Sequence, residues 1–78
     1  MNQHNSTSMR LKLLVLMQEQ KFSVYTRLSI ILHISKLKTE QGDNMVKQLI
    51  QMIESGEDEK AIVQIAKVKY NVQMLKSI

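Results

Sequence analysis

Residues 45–53 read MVKQLIQMI, a pattern with the period of an α-helix. Side chains three or four residues apart lie on the same face of a helix. The apolar residues of this stretch form two parallel rows: Met45, Leu49 and Met52, and Val46, Ile50 and Ile53. The stretch therefore predicts an amphipathic helix that buries its apolar face in a core.

Two glycines flank this helix. Gly42 and Gly56 are the only glycines in the chain, and proline is absent, so little else in the sequence interrupts a helix. Gly42 can adopt the left-handed conformation at a helix end, and Asp43 and Asn44 favour helix N-caps. We expect a sharp turn at residues 41–44, followed by a helix from about residue 44 to residue 55 that ends at Gly56.

A last helix is predicted over residues 58–77. Acidic residues 57–59 and the lysines of the C-terminal half match the dipole of such a helix. Five apolar residues follow one another at intervals of four, three, four and three: Ala61, Ile65, Val68, Val72 and Leu75. This spacing is typical of a helix that packs along a narrow seam, so we expect the seam to contact a second copy of the chain or a partner protein.

A central helix is predicted over residues 24–40. Ser23 is placed to cap it, and Phe22 to form a hydrophobic staple. The helix carries two apolar rows: Val24, Leu28, Ile31 and Leu32, and Ile30, Ile34 and Leu37. Two rows predict a broad buried surface. With the helix that follows, it supplies the predicted core: Leu28, Ile31, Leu32, Ile34, Val46, Leu49, Ile50 and Ile53.

The N-terminal part divides into a polar and an apolar segment. Residues 1–8 lack an apolar run and predict a mobile polar leader. Residues 9–20 predict a helix that is apolar nearly all round, with a strand as the alternative. The sequence thus indicates one all-α domain over residues 9–78, a small bundle of three or four helices.

The size and composition favour self-association. The chain has 78 residues, of which 44% are hydrophobic, but it has no tryptophan and only three other aromatic residues. An aliphatic core of this size barely offsets the conformational entropy of folding. We therefore expect a homodimer to complete the bundle.

Several function classes are excluded or disfavoured by the sequence. There is no cysteine, hence no disulfide and no thiolate site. No apolar run approaches the roughly 20 residues that span a bilayer, and we expect a cytoplasmic protein. No catalytic, metal-binding or phosphate-binding motif occurs, so we expect no enzyme, no cofactor and no metal. His33 lies on the most apolar helix and is either an ordinary helix-surface or interface histidine, or a pH-sensitive interface residue.

Nucleic-acid binding is the main alternative, because the basic residues of the first half could follow a phosphate backbone and a helical fold could offer a recognition helix. The basic residues of the first half are Arg10, Lys12, Lys21, Arg27, Lys36 and Lys38. They are scattered around two helices, and few side chains that could read bases cluster near them, so a DNA-binding regulator is not favoured. A secretion chaperone or structural subunit is a further alternative. The surplus of apolar helix faces favours a protein-binding regulator.

The order of features resembles a known protein family over residues 13–54. The segments that carry the likeness are a first helix, Lys21 to Ser23, the apolar residues 28–37, a polar turn through Glu40 and Asp43, and LIQMI at residues 49–53. This order resembles the small enterobacterial two-component connector proteins linked to biofilm and acid-resistance control. The resemblance implies a dimeric, all-helical regulator that contacts signalling or regulatory proteins. The helix after Gly56 departs from the family pattern, and no functional residue can be transferred individually.

Overall fold

The computed structural model describes the backbone of residues 2–76 and the side chains of residues 6–76. Within this range the chain forms four helices and no strand: α1 (Asn2–Glu19), α2 (Val24–Lys36), α3 (Thr39–Glu54) and α4 (Glu59–Lys76). The all-α prediction is confirmed, and the strand alternative for residues 9–20 is wrong. Helix α3 packs against each of the other three helices and is the centre of the bundle.

The core forms around the apolar face of α3. Leu13 and Met17 of α1, Ile30 of α2 and Ile62 of α4 are almost completely buried against it. Five of the predicted core residues lie in this cluster: Ile34, Val46, Leu49, Ile50 and Ile53.

Two predicted core residues lie elsewhere, and Ile31 lies at the edge of the core, against which it packs. Leu28 is 65% exposed and Leu32 is 53% exposed, so their assignment to the core is wrong, and Ile31 is only partly buried. Helix α2 packs on α3 and α4 through its other apolar row, which contains Ile30 and Ile34. A bundle of this size covers one face of α2, and Val24, Leu28 and Leu32 therefore point away from the core.

Two helices end in the same left-handed motif. After α3, Gly56 has φ +90°, and its N–H donates to the carbonyl oxygen of Ile53 at 3.0 Å. After α1, Lys21 takes the same role with φ +59°, and the N–H of Phe22 donates to Met17 at 2.9 Å. These bonds satisfy carbonyl groups of the last helical turn. The end predicted at Gly56 is found, whereas a lysine at the equivalent position after α1 gives no sequence signal.

The turn predicted at residues 41–44 is wrong. Helix α2 already ends at Lys36, and Gly42 lies inside α3. A Cβ atom on Gly42 would lie 2.9 Å from Nη2 of Arg10 and 3.1 Å from the carbonyl oxygen of Ile34. The glycine therefore permits the close approach of α1 and α2 to α3, and it does not make a turn.

Helix α1 begins at Asn2 rather than near residue 9. Residues 2–8, predicted as a leader, are thus helical, and polar contacts to α3 account for this. Ser6 donates a 2.7 Å hydrogen bond to Oδ1 of Asp43, and Nη2 of Arg10 binds the same oxygen at 3.0 Å. Met1 and the predicted end of the last helix at residue 77 lie outside the described residues.

Candidate functional site

The outer face of α2 is apolar and exposed. Val24, Leu28 and Leu32 follow at intervals of four residues on this face, and Val24 is 60% exposed. Single exposed apolar residues are normal on protein surfaces, but a row on successive helical turns forms a patch, which is typical of a binding site. Because these residues are exposed, they contribute little to the fold of the single chain.

Helix α1 extends this patch. Leu11, Leu14 and Val15 are exposed on α1. Leu14 joins Val24, Arg27, Leu28 and Ile31 in lining a groove of about 450 Å³ between the two helices. We call the following seven residues the α1/α2 surface: Leu11, Leu14, Val15, Val24, Leu28, Ile31 and Leu32.

Arg27 is the one charged residue that lines the groove. Its Nε atom is buried and has no hydrogen-bond partner. Among residues 6–76 no carboxylate forms an ion pair with Arg27, since the two ion pairs join Arg10 to Asp43 and Lys12 to Glu54. A buried donor without an acceptor costs free energy, and within residues 6–76 no ion pair compensates the charge of this guanidinium.

A hydrogen-bond cluster fixes the start of α2, next to the groove. The hydroxyl of Ser23 caps the helix by accepting a bond from the N–H of Thr26 at 3.1 Å. From the start of α4, Oε2 of Glu59 accepts bonds from the N–H of Ser23 at 3.3 Å and from the hydroxyls of Ser23 and Thr26. Chiefly the bond from Thr26, and then those from Ser23, hold the pKa of Glu59 below its ordinary value. The carboxylate thus joins α4 to the positive end of the α2 dipole.

The cluster adjoins a depression in the surface. A depression of about 760 Å³ adjoins Glu59 and is also lined by Thr26, Asp58 and Lys60. Because its pKa is lowered, Glu59 is ionised at neutral pH and is not poised as a general acid. The hydrogen bonds that Glu59 accepts from Ser23 and Thr26 account for the position of its carboxylate.

The predicted α4 seam is divided in two by the fold. Ala61 and Ile65 are partly buried, and Ile65 packs against the core of its own chain. The remaining members are exposed: Val68, Val72 and Leu75. We call these three residues the α4 stripe, which is the part of the seam that is open to a partner.

His33 lies between α2 and α4. Its ring contacts the ring of Tyr70 with 4.5 Å between the centroids, and its Nδ1 atom is buried without a hydrogen-bond partner. Burial chiefly, followed by the nearby charges of Lys36 and Lys67, lowers the pKa of His33. The histidine is therefore neutral at pH 7 and belongs to the contact between the two helices.

Other classes of site find little support in the described part of the chain. No group of three or more histidine and acidic side chains there could hold a metal ion. None of its helices has the length and the apolar composition needed to cross a bilayer. Two of the basic residues considered for nucleic acid, Arg10 and Lys12, are held in ion pairs with carboxylates of α3.

The α1/α2 surface was missed by the sequence reasoning, which placed most of its α2 residues in the core. The available signal was the presence of two apolar rows on α2, more than a short bundle can cover. The chain matches no protein-family model, no curated protein and no solved structure.

Proposed function

We propose that this chain is a small, non-enzymatic regulatory protein that binds another protein through the α1/α2 surface. The observation that carries the proposal is the exposed apolar row on α2, which lies beside a groove shared with α1. Removing such a surface from water stabilises a complex by about 25 cal/mol for each Å² of apolar area. A groove between two helices is a common receptor for an apolar helix face.

The class of partner that we propose is a signalling or transcriptional regulator. This part of the proposal rests on the resemblance to the two-component connector proteins. Residues 21–23, which take part in that resemblance, connect the two helices that form the α1/α2 surface. The proposal places the protein in the bacterial cytoplasm, where such regulators act.

We further propose that the α4 stripe joins two copies of the chain. Val68, Val72 and Leu75 lie on adjoining turns and continue the row begun by Ala61 and Ile65. Pairing of α4 with its symmetry mate would bury the stripe and leave the α1/α2 surface of each copy free for a partner.

Partner capture from the native cell at physiological salt tests the main proposal. The bait is the full chain, compared with Leu28→Ser and Leu32→Ser variants. Tyr25→Ser is the matched control, because Tyr25 lies on the same helix and is 81% exposed, but does not line the groove. We expect the wild type and the control to retain the same bound protein and the two leucine variants to lose it. Equal capture by all four chains would contradict the proposal.

The dimer is tested separately by sedimentation. Val72→Asp and Leu75→Asp replace exposed residues, so they leave the core of each copy intact. We expect both variants to sediment as monomers, while Leu28→Asp, on the other surface, remains a dimer. A wild-type monomer, or a dimer in all variants, would refute the role of the α4 stripe.

A further inference from the structure

We propose that the groove of the α1/α2 surface binds an amphipathic helix of the partner, and that this helix places an aspartate or glutamate side chain on Arg27. The inference rests on the proposed function and specifies the chemistry of the partner segment. Three features support it: the shape of the groove, the presence of Arg27 without an ion pair, and a groove lining that contains no carboxylate.

The shape fits a helix. Leu32 lies eight positions after Val24, which corresponds to about 12 Å along the axis of α2. This length corresponds to about two helical turns, so a partner helix covers it with apolar residues at positions i, i+3 or i+4, and i+7. The side chains of Leu14 and Ile31 line the groove into which such residues would pack.

Arg27 is the residue that would favour an acidic group in the partner helix. It is the charged member of an otherwise apolar lining, and its Nε donor is buried without an acceptor. A guanidinium group binds a carboxylate through parallel hydrogen bonds, and such charge-assisted bonds are about twice as strong as neutral ones. An acidic residue among the apolar anchors of the partner therefore compensates the charge of Arg27.

A second copy of the chain is a poor occupant of this groove. A two-fold dimer contact brings a surface against itself. The residues that line the groove include no carboxylate, so a two-fold contact through the groove would bring Arg27 against apolar side chains or against the same basic residue of the other copy. Enclosing an unpaired charge in this way is strongly unfavourable.

A lipid surface also fits less well than a helix. Proteins that lie on membranes present a protruding apolar face with basic residues at its rim. Here the arginine lies within a groove, and its Nε atom is buried. The recognition chemistry is therefore that of a single acidic group enclosed by apolar contacts.

Selection from a phage-displayed library of amphipathic helical peptides tests the inference. The immobilised chains are the wild type, Arg27→Gln, Arg27→Glu and the control Lys36→Glu, which changes the net charge as much as Arg27→Glu does. We expect wild type and control to enrich peptides with apolar anchors and one acidic position. Arg27→Gln loses the acidic preference, and Arg27→Glu selects lysine or arginine there. Replacing the acidic residue of a selected peptide by its amide weakens binding to the wild type about tenfold.

Several results would overturn the inference. One is that no peptide is enriched, and another is that the acidic preference persists in Arg27→Glu. A third is that the wild type binds vesicles of anionic phospholipid and Leu28→Ser abolishes this binding. Circular dichroism melting of each variant shows whether it is folded. If Arg27→Glu is unfolded, the comparison of the wild type with Arg27→Gln decides the question. If the acidic preference fails but Leu28→Ser still abolishes partner capture from the cell, the proposed function stands and this inference alone is wrong.

Discussion

Truncation of two leucines to alanine is expected to have very different effects on stability. Leu49 of α3 is fully buried, and such a truncation costs about 3–5 kcal/mol because it removes apolar burial and leaves a cavity. Leu28 is 65% exposed, so only about a third of its burial energy is at stake, or roughly 0.5–1 kcal/mol. The sequence pattern alone predicts similar losses at both positions, because it places both residues in the core.

Thermal unfolding followed by far-ultraviolet circular dichroism measures this contrast. In a domain of this size about 1 kcal/mol corresponds to a Tm shift of roughly 4–8 °C. We therefore expect Leu28→Ala to lower the Tm by less than about 8 °C and Leu49→Ala to lower it by at least about 12 °C. Equal shifts would show that Leu28 is covered in solution, by a second copy or by a different packing of α2, and would refute the description of a free α1/α2 surface.

Three further predictions concern the ends and contacts of the helices. Lys21→Gly should raise the free energy of unfolding by about 0.5–1 kcal/mol in urea titrations, since glycine adopts the positive φ of this residue without strain, and Lys21→Ala should give no such gain. Glu59→Ala should speed amide hydrogen exchange in the first turn of α2, because it removes the acceptor of Ser23, whereas Glu57→Ala should leave these rates unchanged. Stability should fall as the pH drops below 6.5, the ordinary pKa of His33, because its lowered pKa means that the unfolded chain binds this proton more readily. Urea titrations at several pH values should show that His33→Gln flattens this part of the profile; an unchanged slope would exclude His33 as its source.

Local patterns made the helical class and much of the core predictable. The rows of α3, such as Val46 and Ile50, are bounded by polar residues, so one face alone could be buried. Gly56 stops α3 because its positive φ is easily reached by glycine.

The remaining features depend on contacts between helices that no local pattern reveals. Gly42 has the features of a turn residue in sequence, yet it is required inside α3 because Arg10 and Ile34 approach it closely. Residues 2–8 are polar throughout, and the contact of Ser6 with Asp43 ties them to a distant segment.

The choice between two equivalent faces also limited the prediction of the site. Both apolar rows of α2 satisfy the helical period, and tertiary packing on α3 and α4 determines which of them is buried. The α2 residues of the α1/α2 surface belong to the row that packing on α3 and α4 leaves largely exposed. The groove itself requires Leu14 of α1 and Arg27 of α2 to be neighbours, which their separation along the chain does not indicate.

Site-specific photo-crosslinking in the native cell shows whether the α1/α2 surface contacts another protein. A benzophenone amino acid is placed at Leu28 in one chain and at Tyr25 in another, both on exposed positions of α2. We expect irradiation to join the chain to a different protein at Leu28 and not at Tyr25. No adduct at Leu28, or adducts of equal yield at both positions, would contradict this expectation.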